Sequence, residues 1–107
     1  MTLYKKLVRD GIPQIIESKG EKCIYEILDD EKYAVELRKK LDEEILEYIE
    51  AANVEDATEE LADVLEVIHA YALIHGVSLE NAETMRLKKA SERGGFANKV
   101  FLVEVLD

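Results

Sequence analysis

A stretch that is apolar on nearly every side of its predicted helix constrains the fold most strongly. Between residues 61 and 74, apolar side chains fall on almost all helical faces: Leu61, Val64, Leu65, Val67, Ile68, Tyr71, Leu73 and Ile74. Such a helix has to be covered all round. Three other helices in a chain of 107 residues are barely enough, so we expect an oligomer that buries this helix between subunits. The stretch is too short for a membrane span and contains Asp63, Glu66 and His69.

Helical spacing of apolar residues and helix-end signals predict a mainly α fold. Pro13 fits the first turn of a short helix near the N-terminus, and Gly20 fits its end. Asp56 with Glu59 has the pattern of a capping box at the start of the apolar helix. The expected helices cover residues 13–20, about 30–52, 56–75 and 78 to about 92. Ser78 is the expected cap of the last helix.

Two short segments have the composition of β-strands. Residues 23–28 read Cys-Ile-Tyr-Glu-Ile-Leu and residues 100–103 read Val-Phe-Leu-Val, and both are rich in β-branched and aromatic side chains. We expect them to be two short peripheral strands that pair as a small flap beside the helices. The length of the chain predicts a single domain over residues 1–107.

Charge and cysteine content restrict the partners and the compartment. A net charge of −10 argues against a nucleic-acid polymer as partner, because phosphate backbones attract an excess of Lys and Arg. It leaves a nucleotide substrate open, since a bound metal reverses the local field. The lone Cys23 cannot form an internal disulfide. With no signal peptide and no membrane span in the pattern, we expect a cytoplasmic protein without a membrane partner.

Two acidic pairs at helical spacing form the candidate site. Glu44 and Glu47 lie three residues apart on one helical face, as do Glu60 and Asp63 on the next helix. Two antiparallel helices can direct both pairs at one point, where four carboxylates repel each other unless a cation lies among them. Clustered carboxylate oxygens suit magnesium, manganese or calcium rather than zinc. We expect Mg²⁺, with Mn²⁺ as the alternative.

The acidic composition of the chain supplies the competing interpretation. Because 24 of 107 residues are acidic, similar spacing arises readily by chance. The positions add weight, since Glu44 lies within an apolar stripe and Asp63 lies on the helix that has almost no polar face. Burying unpaired carboxylates is costly, so these acids imply a counter-charge. Plain solvated surface remains the interpretation for the other acids nearby: Glu43, Glu50, Glu55 and Glu66.

Three stretches together resemble the MazG-like group of all-α nucleoside triphosphate pyrophosphohydrolases, especially its small phosphoribosyl-ATP pyrophosphohydrolase-like members. They are residues 6–13 (Lys-Leu-Val-Arg-Asp-Gly-Ile-Pro), the acidic signature of residues 43–63, and residues 89–96 with Arg-Gly-Gly-Phe at their end. The resemblance implies an all-α helical bundle and magnesium-dependent, house-cleaning hydrolysis of a nucleoside triphosphate to the monophosphate and pyrophosphate. It also implies a homodimer or homotetramer. Gly11 departs from the family pattern, which commonly has a lysine there.

The acidic residues are assigned roles on this basis. Glu44, Glu47, Glu60 and Asp63 are the expected metal ligands. Glu47 and Glu44 are the expected catalytic carboxylates, with Glu47 favoured to accept a proton from the water that attacks the α-phosphorus.

Four basic residues are candidates to bind the substrate phosphates. Lys89 and Arg93 lie four apart on the last turn of a helix, where both can face one ligand. Their alternative role is to complement the helix dipole. Lys6 and Arg9 are further candidates, although Arg9 could instead pair with Asp10 or Glu17.

Two other functions remain open at this point. One is a non-enzymatic helical interaction module whose acidic face binds a basic partner. The other is a member that binds metal and nucleotide without catalysis, which the missing lysine at Gly11 makes plausible.

Overall fold

The computed structural model describes residues 3–107, and its regular structure is helical throughout that range. The four helices, in chain order, are α1 (Ile12–Ser18), α2 (Asp30–Ile49), α3 (Val54–Ile74) and α4 (Leu79–Arg93). The mainly α prediction is confirmed, including the short helix near the N-terminus that carries Pro13 in its first turn. The long second helix ends at Ile49 instead of continuing to residue 52.

Side-chain caps define where α2 and α4 begin. The Asp29 carboxylate accepts a hydrogen bond from the Lys32 backbone N–H at 2.8 Å. Ser78 and Asn81 form a reciprocal capping box at the start of α4, so the predicted cap at Ser78 is confirmed. Each cap satisfies backbone donors that have no partner inside the helix.

The cap of α3 lies three residues earlier than the sequence predicted. The Asn53 side-chain oxygen accepts a hydrogen bond from the Asp56 backbone N–H at 2.8 Å, and the helix starts at Val54. Asp56 therefore lies in the first turn and is not the cap. Asn and Asp cap helices about equally well, so the sequence pattern did not distinguish Asn53 from Asp56.

The two predicted strands are wrong for the described part of the chain. Residues 23–28 and 100–103 are not in strands, and Ile24, Ile27 and Phe101 expose 104, 89 and 83% of their surface. β-branched and aromatic residues favour extended backbone, but a strand is stable only when its N–H and C=O groups pair with a neighbour. Composition alone predicted these strands, and the lack of a pairing neighbour within residues 3–107 explains the error.

The chain divides into two compact units, Met1–Val67 and Ile68–Asp107, with the boundary inside α3. In the first unit the buried apolar side chains are Leu37 and Val67, and in the second the buried one is Ala72, within the range that the structure describes. This boundary falls within a continuous helix. The single domain over residues 1–107 stays a prediction. Among residues 3–107, no single helix is long and apolar enough to cross a membrane, and α3 and α4 pass that test by length and composition only as a bent pair.

Candidate metal centre

α2 and α3 bring the four predicted metal ligands together within the first unit. Glu44 and Glu47 come from α2, and Glu60 and Asp63 come from α3. One carboxylate oxygen from each residue lies within 4.8 Å of the corresponding oxygens of the other three. The three-residue spacing places both acids of each helix on one face. An acidic cluster that could hold a metal ion is therefore present, at the residues that the sequence singled out.

The burial of the cluster is uneven, and this gradient is chemically informative. Glu44 is only 5% exposed, Glu60 and Asp63 are half-buried, and Glu47 is exposed. One oxygen of Glu44 and one of Glu60, Oε2 in each case, are buried without a hydrogen-bond partner. Burying a carboxylate oxygen without a partner is costly. The two free oxygens fit a hard cation such as Mg²⁺ or Mn²⁺, which prefers oxygen ligands.

Lys40 is a member of this site that the sequence interpretation missed. Its Nζ lies 3.0 Å from Oε1 of Glu44 and 3.3 Å from Oε2 of Glu43, and its side chain is 19% exposed. The signal was present, since Lys40 is three and four residues before these two glutamates on the same helix. A single ammonium group cannot neutralise four carboxylates.

Ionisation within the cluster reflects this deficit of positive charge. Burial and the nearby Glu47 raise the pKa of Glu44 even though Lys40 acts in the opposite direction. Burial disfavours the charged form of Lys40, yet its hydrogen bonds and charge interactions with Glu44 and Glu43 hold its pKa above the ordinary value. The buried end of the cluster therefore carries less positive charge than its carboxylates require.

The N-terminal segment contributes two more cations to the acidic face. Lys6 Nζ lies 3.0 Å from Oε1 of Glu43. Arg9 Nη2 donates to Oδ1 of Asp63 at 2.7 Å, and Arg9 Nη1 lies 3.9 Å from Oε1 of Glu66. The suggested pairing of Arg9 with Asp10 or Glu17 is therefore not the one formed. Both predicted phosphate ligands lie beside the acidic cluster, although each is paired with a carboxylate.

The same contacts change the interpretation of Glu43. Burial acts against its charged form, but the hydrogen bonds from Lys6 and Lys40 hold the pKa of Glu43 below its ordinary value. Glu43 therefore joins the N-terminal segment to α2 instead of being plain solvated surface. It is not one of the four clustered ligands.

Lys89 and Arg93, the other predicted phosphate ligands, lie on α4 in the second unit. Both side chains are exposed, and neither forms an ion pair with a residue in the described range 3–107. Arg93 lines an open cavity of about 350 Å³ together with residues 94–100. Gly94 follows the helix with a φ of +83°, a conformation that glycine adopts without strain. These features keep both cations available to a ligand.

Comparisons with known proteins add little to this geometry. No protein-family model matches the chain, and no solved structure matches it. A stretch of 52 residues is 42% identical to an uncharacterized protein of Mycolicibacterium smegmatis, covering 49% of this chain and 52% of that protein. The chain thus spans about half the length of the curated relative that it matches. The name of that relative assigns it no activity.

Proposed function

We propose that this protein is a magnesium-dependent nucleoside triphosphate pyrophosphohydrolase of the house-cleaning type, which converts a nucleoside triphosphate and water to the monophosphate and pyrophosphate. The observation that carries the proposal is the convergence of four carboxylates from α2 and α3 within 4.8 Å. The unpartnered buried oxygens of Glu44 and Glu60 support a cation at this point. The likeness of three stretches to the MazG-like group supports the substrate class.

The gradient of burial assigns different tasks to the carboxylates. Glu44, Glu47, Glu60 and Asp63 would hold the ion, Mg²⁺ or alternatively Mn²⁺. When bound, the ion supplies neutralisation of the triphosphate charge and a more acidic bound water. Glu44 is buried and fixed by Lys40, which suits a ligand. Glu47 is the exposed member and pairs with no basic residue within 3–107, so it is the better acceptor for the proton of the attacking water.

The basic residues would bind the phosphate groups of the substrate. Arg9 and Lys6 lie on the acidic face, within reach of a nucleotide held there. A guanidinium can bind a phosphate through two parallel hydrogen bonds, whereas a lysine acts as a point charge. Lys89 and Arg93 remain proposed ligands on the strength of the resemblance and of their exposure.

Product analysis tests the proposed reaction. The protein is incubated with Mg²⁺ and a panel of nucleoside triphosphates, and pyrophosphate and orthophosphate are measured separately. We expect pyrophosphate from at least one substrate. Orthophosphate as the first product would mean attack at a different phosphorus and would reject the mechanism.

Amide substitutions test the assigned carboxylates. Glu47→Gln and Asp63→Asn keep the shape of the side chain but remove its charge, so we expect turnover to fall by about 10²-fold or more. Glu55→Gln is the matched control, because Glu55 is an exposed carboxylate on α3 outside the cluster. If Glu55→Gln loses as much turnover as Glu47→Gln, the catalytic role assigned to Glu47 is wrong.

A non-catalytic acidic interaction module is the second candidate. It is favoured by the ion pairs that already occupy Asp63 and Glu43 and by the exposed Leu61 and Leu65 on α3, 46 and 53% accessible. Thermal unfolding separates the two, because relief of carboxylate repulsion by Mg²⁺ should raise the melting temperature. Unchanged melting with Mg²⁺ and a nucleotide analogue would favour the module.

Metal and nucleotide binding without catalysis gives a third pattern. It would raise the melting temperature but release no pyrophosphate. Here Gly11→Lys is informative, because the structure has room for the added side chain. A Cβ at position 11 would have no atom within 4 Å other than those of its chain neighbours. Pyrophosphate release that appears only in Gly11→Lys would identify the natural chain as the non-catalytic form.

A further inference from the structure

Arg9 directly contacts one of the four clustered carboxylates. Its Nη2 lies 2.7 Å from Oδ1 of Asp63, and the contact joins residues 54 positions apart in the sequence. Folding therefore brings the N-terminal segment to the acidic face, since helical spacing cannot make this pair. Lys40 pairs with Glu43 and Glu44 on α2, and Arg9 supplies positive charge on the α3 side.

A second carboxylate lies beside the same guanidinium. Nη1 of Arg9 is 3.9 Å from Oε1 of Glu66, and Glu66 lies three residues after Asp63 on the same face of α3. The side chains of Arg9 and Asp63 are 54 and 37% exposed, and exposed ion pairs are weak. Arg9 can therefore leave Asp63 and pair with Glu66 through a small movement of its side chain.

We propose that Arg9 is the resting counter-ion of Asp63, and that a divalent cation displaces it towards Glu66. The inference rests on the metal site of the proposed function and adds a positioning role for Arg9. A doubly charged ion among the four oxygens satisfies Asp63 better than one guanidinium does, and it repels that guanidinium at short distance. Lys6 keeps its contact with Glu43, which is not one of the clustered ligands, so the N-terminal segment stays in place. The displaced guanidinium is then free to meet a phosphate group beside the metal.

Metal affinity tests this exchange without any measurement of turnover. Mn²⁺ binding is followed by the electron paramagnetic resonance of the free ion, and Mg²⁺ binding by calorimetry, both at low ionic strength. Arg9→Gln should bind either ion about two- to fivefold more tightly, because the ion no longer competes with an internal cation. Arg38→Gln is the matched control. It removes the same charge on α2, but Arg38 pairs with Asp42, which is outside the cluster, and we expect its affinity within about twofold of wild type.

Glu66→Gln provides an independent second variant. It removes the alternative acceptor for the displaced guanidinium, so its metal affinity should fall below that of wild type. Circular dichroism verifies that each variant is folded. Affinity in Arg9→Gln equal to or weaker than wild type would overturn the exchange.

Asp63→Asn distinguishes this failure from failure of the proposed function. If wild type binds the ions, Asp63→Asn does not, and Arg9→Gln is not tighter, only the exchange is wrong. If wild type binds neither ion, the metal site and the exchange fail together.

Discussion

At the scale of single residues, the acidic cluster is a source of instability that the fold tolerates. Glu44 is buried next to Glu47, and one ammonium group, that of Lys40, offsets its charge only in part. Natural chains retain such strain chiefly at functional sites. The cost should therefore be measurable as stability gained when the charge of Glu44 is removed.

Glu44→Gln should stabilise the protein at neutral pH in the presence of a chelator. Since the pKa of Glu44 is raised by folding, the folded state holds its proton more tightly than the unfolded state. The destabilisation is therefore present above the folded pKa and disappears as the pH falls through it. We expect a gain of about 0.5 kcal/mol at pH 7, the scale of one close like-charge pair, which shrinks as the pH approaches the ordinary value of 4.5.

Urea unfolding at several pH values measures this difference, with Glu55→Gln as the exposed control. The gain should reverse when saturating Mg²⁺ is added, because the wild type then acquires binding energy that Glu44→Gln lacks. A loss of stability in Glu44→Gln at pH 7 with chelator would mean that the pairing with Lys40 outweighs burial.

At the scale of helices, the sequence predicted what depends on local geometry. The pairing of residue 44 with 47, and of 60 with 63, follows from helical spacing alone, and the clustering of the two pairs was anticipated from it. The contact of Arg9 with Asp63 could not be read, because it depends on the path of the chain outside the helices. The prediction of strands over residues 23–28 and 100–103 was wrong for a related reason. A strand needs a pairing partner, and no local sequence pattern specifies one.

The start of α3 offers a test of helix-end signals. Asn53→Ala removes the acceptor of the Asp56 backbone N–H, which should lower the stability by about 1 kcal/mol. For a domain of this size, that corresponds to a melting temperature lower by about 4–8 °C. Asn98→Ala is the control, because Asn98 is exposed and makes no side-chain hydrogen bond within residues 3–107. Equal melting temperatures for the two variants would show that Asn53 is not the cap.

At the scale of the whole molecule, the apolar surface that α3 exposes is the basis for predicting that copies of the chain associate. Leu61 and Leu65 leave 46 and 53% of their surface exposed, and removing apolar surface from water is the main favourable contribution to association. Part of the exposed surface is apolar and helical, since Leu61 and Leu65 lie four residues apart on one face of α3.

We therefore expect a homodimer or homotetramer in which this face of α3 is covered by a second copy. Light scattering at physiological salt should give a mass that is twice or four times 12.2 kDa. Low salt should weaken association, because each copy carries a net charge of −10. Leu65→Glu places a charge in the covered face and should shift the mass towards the monomer. Leu3→Glu, at a position 75% exposed in the N-terminal segment, should leave it unchanged. A monomeric mass for the wild type at all concentrations would contradict the prediction.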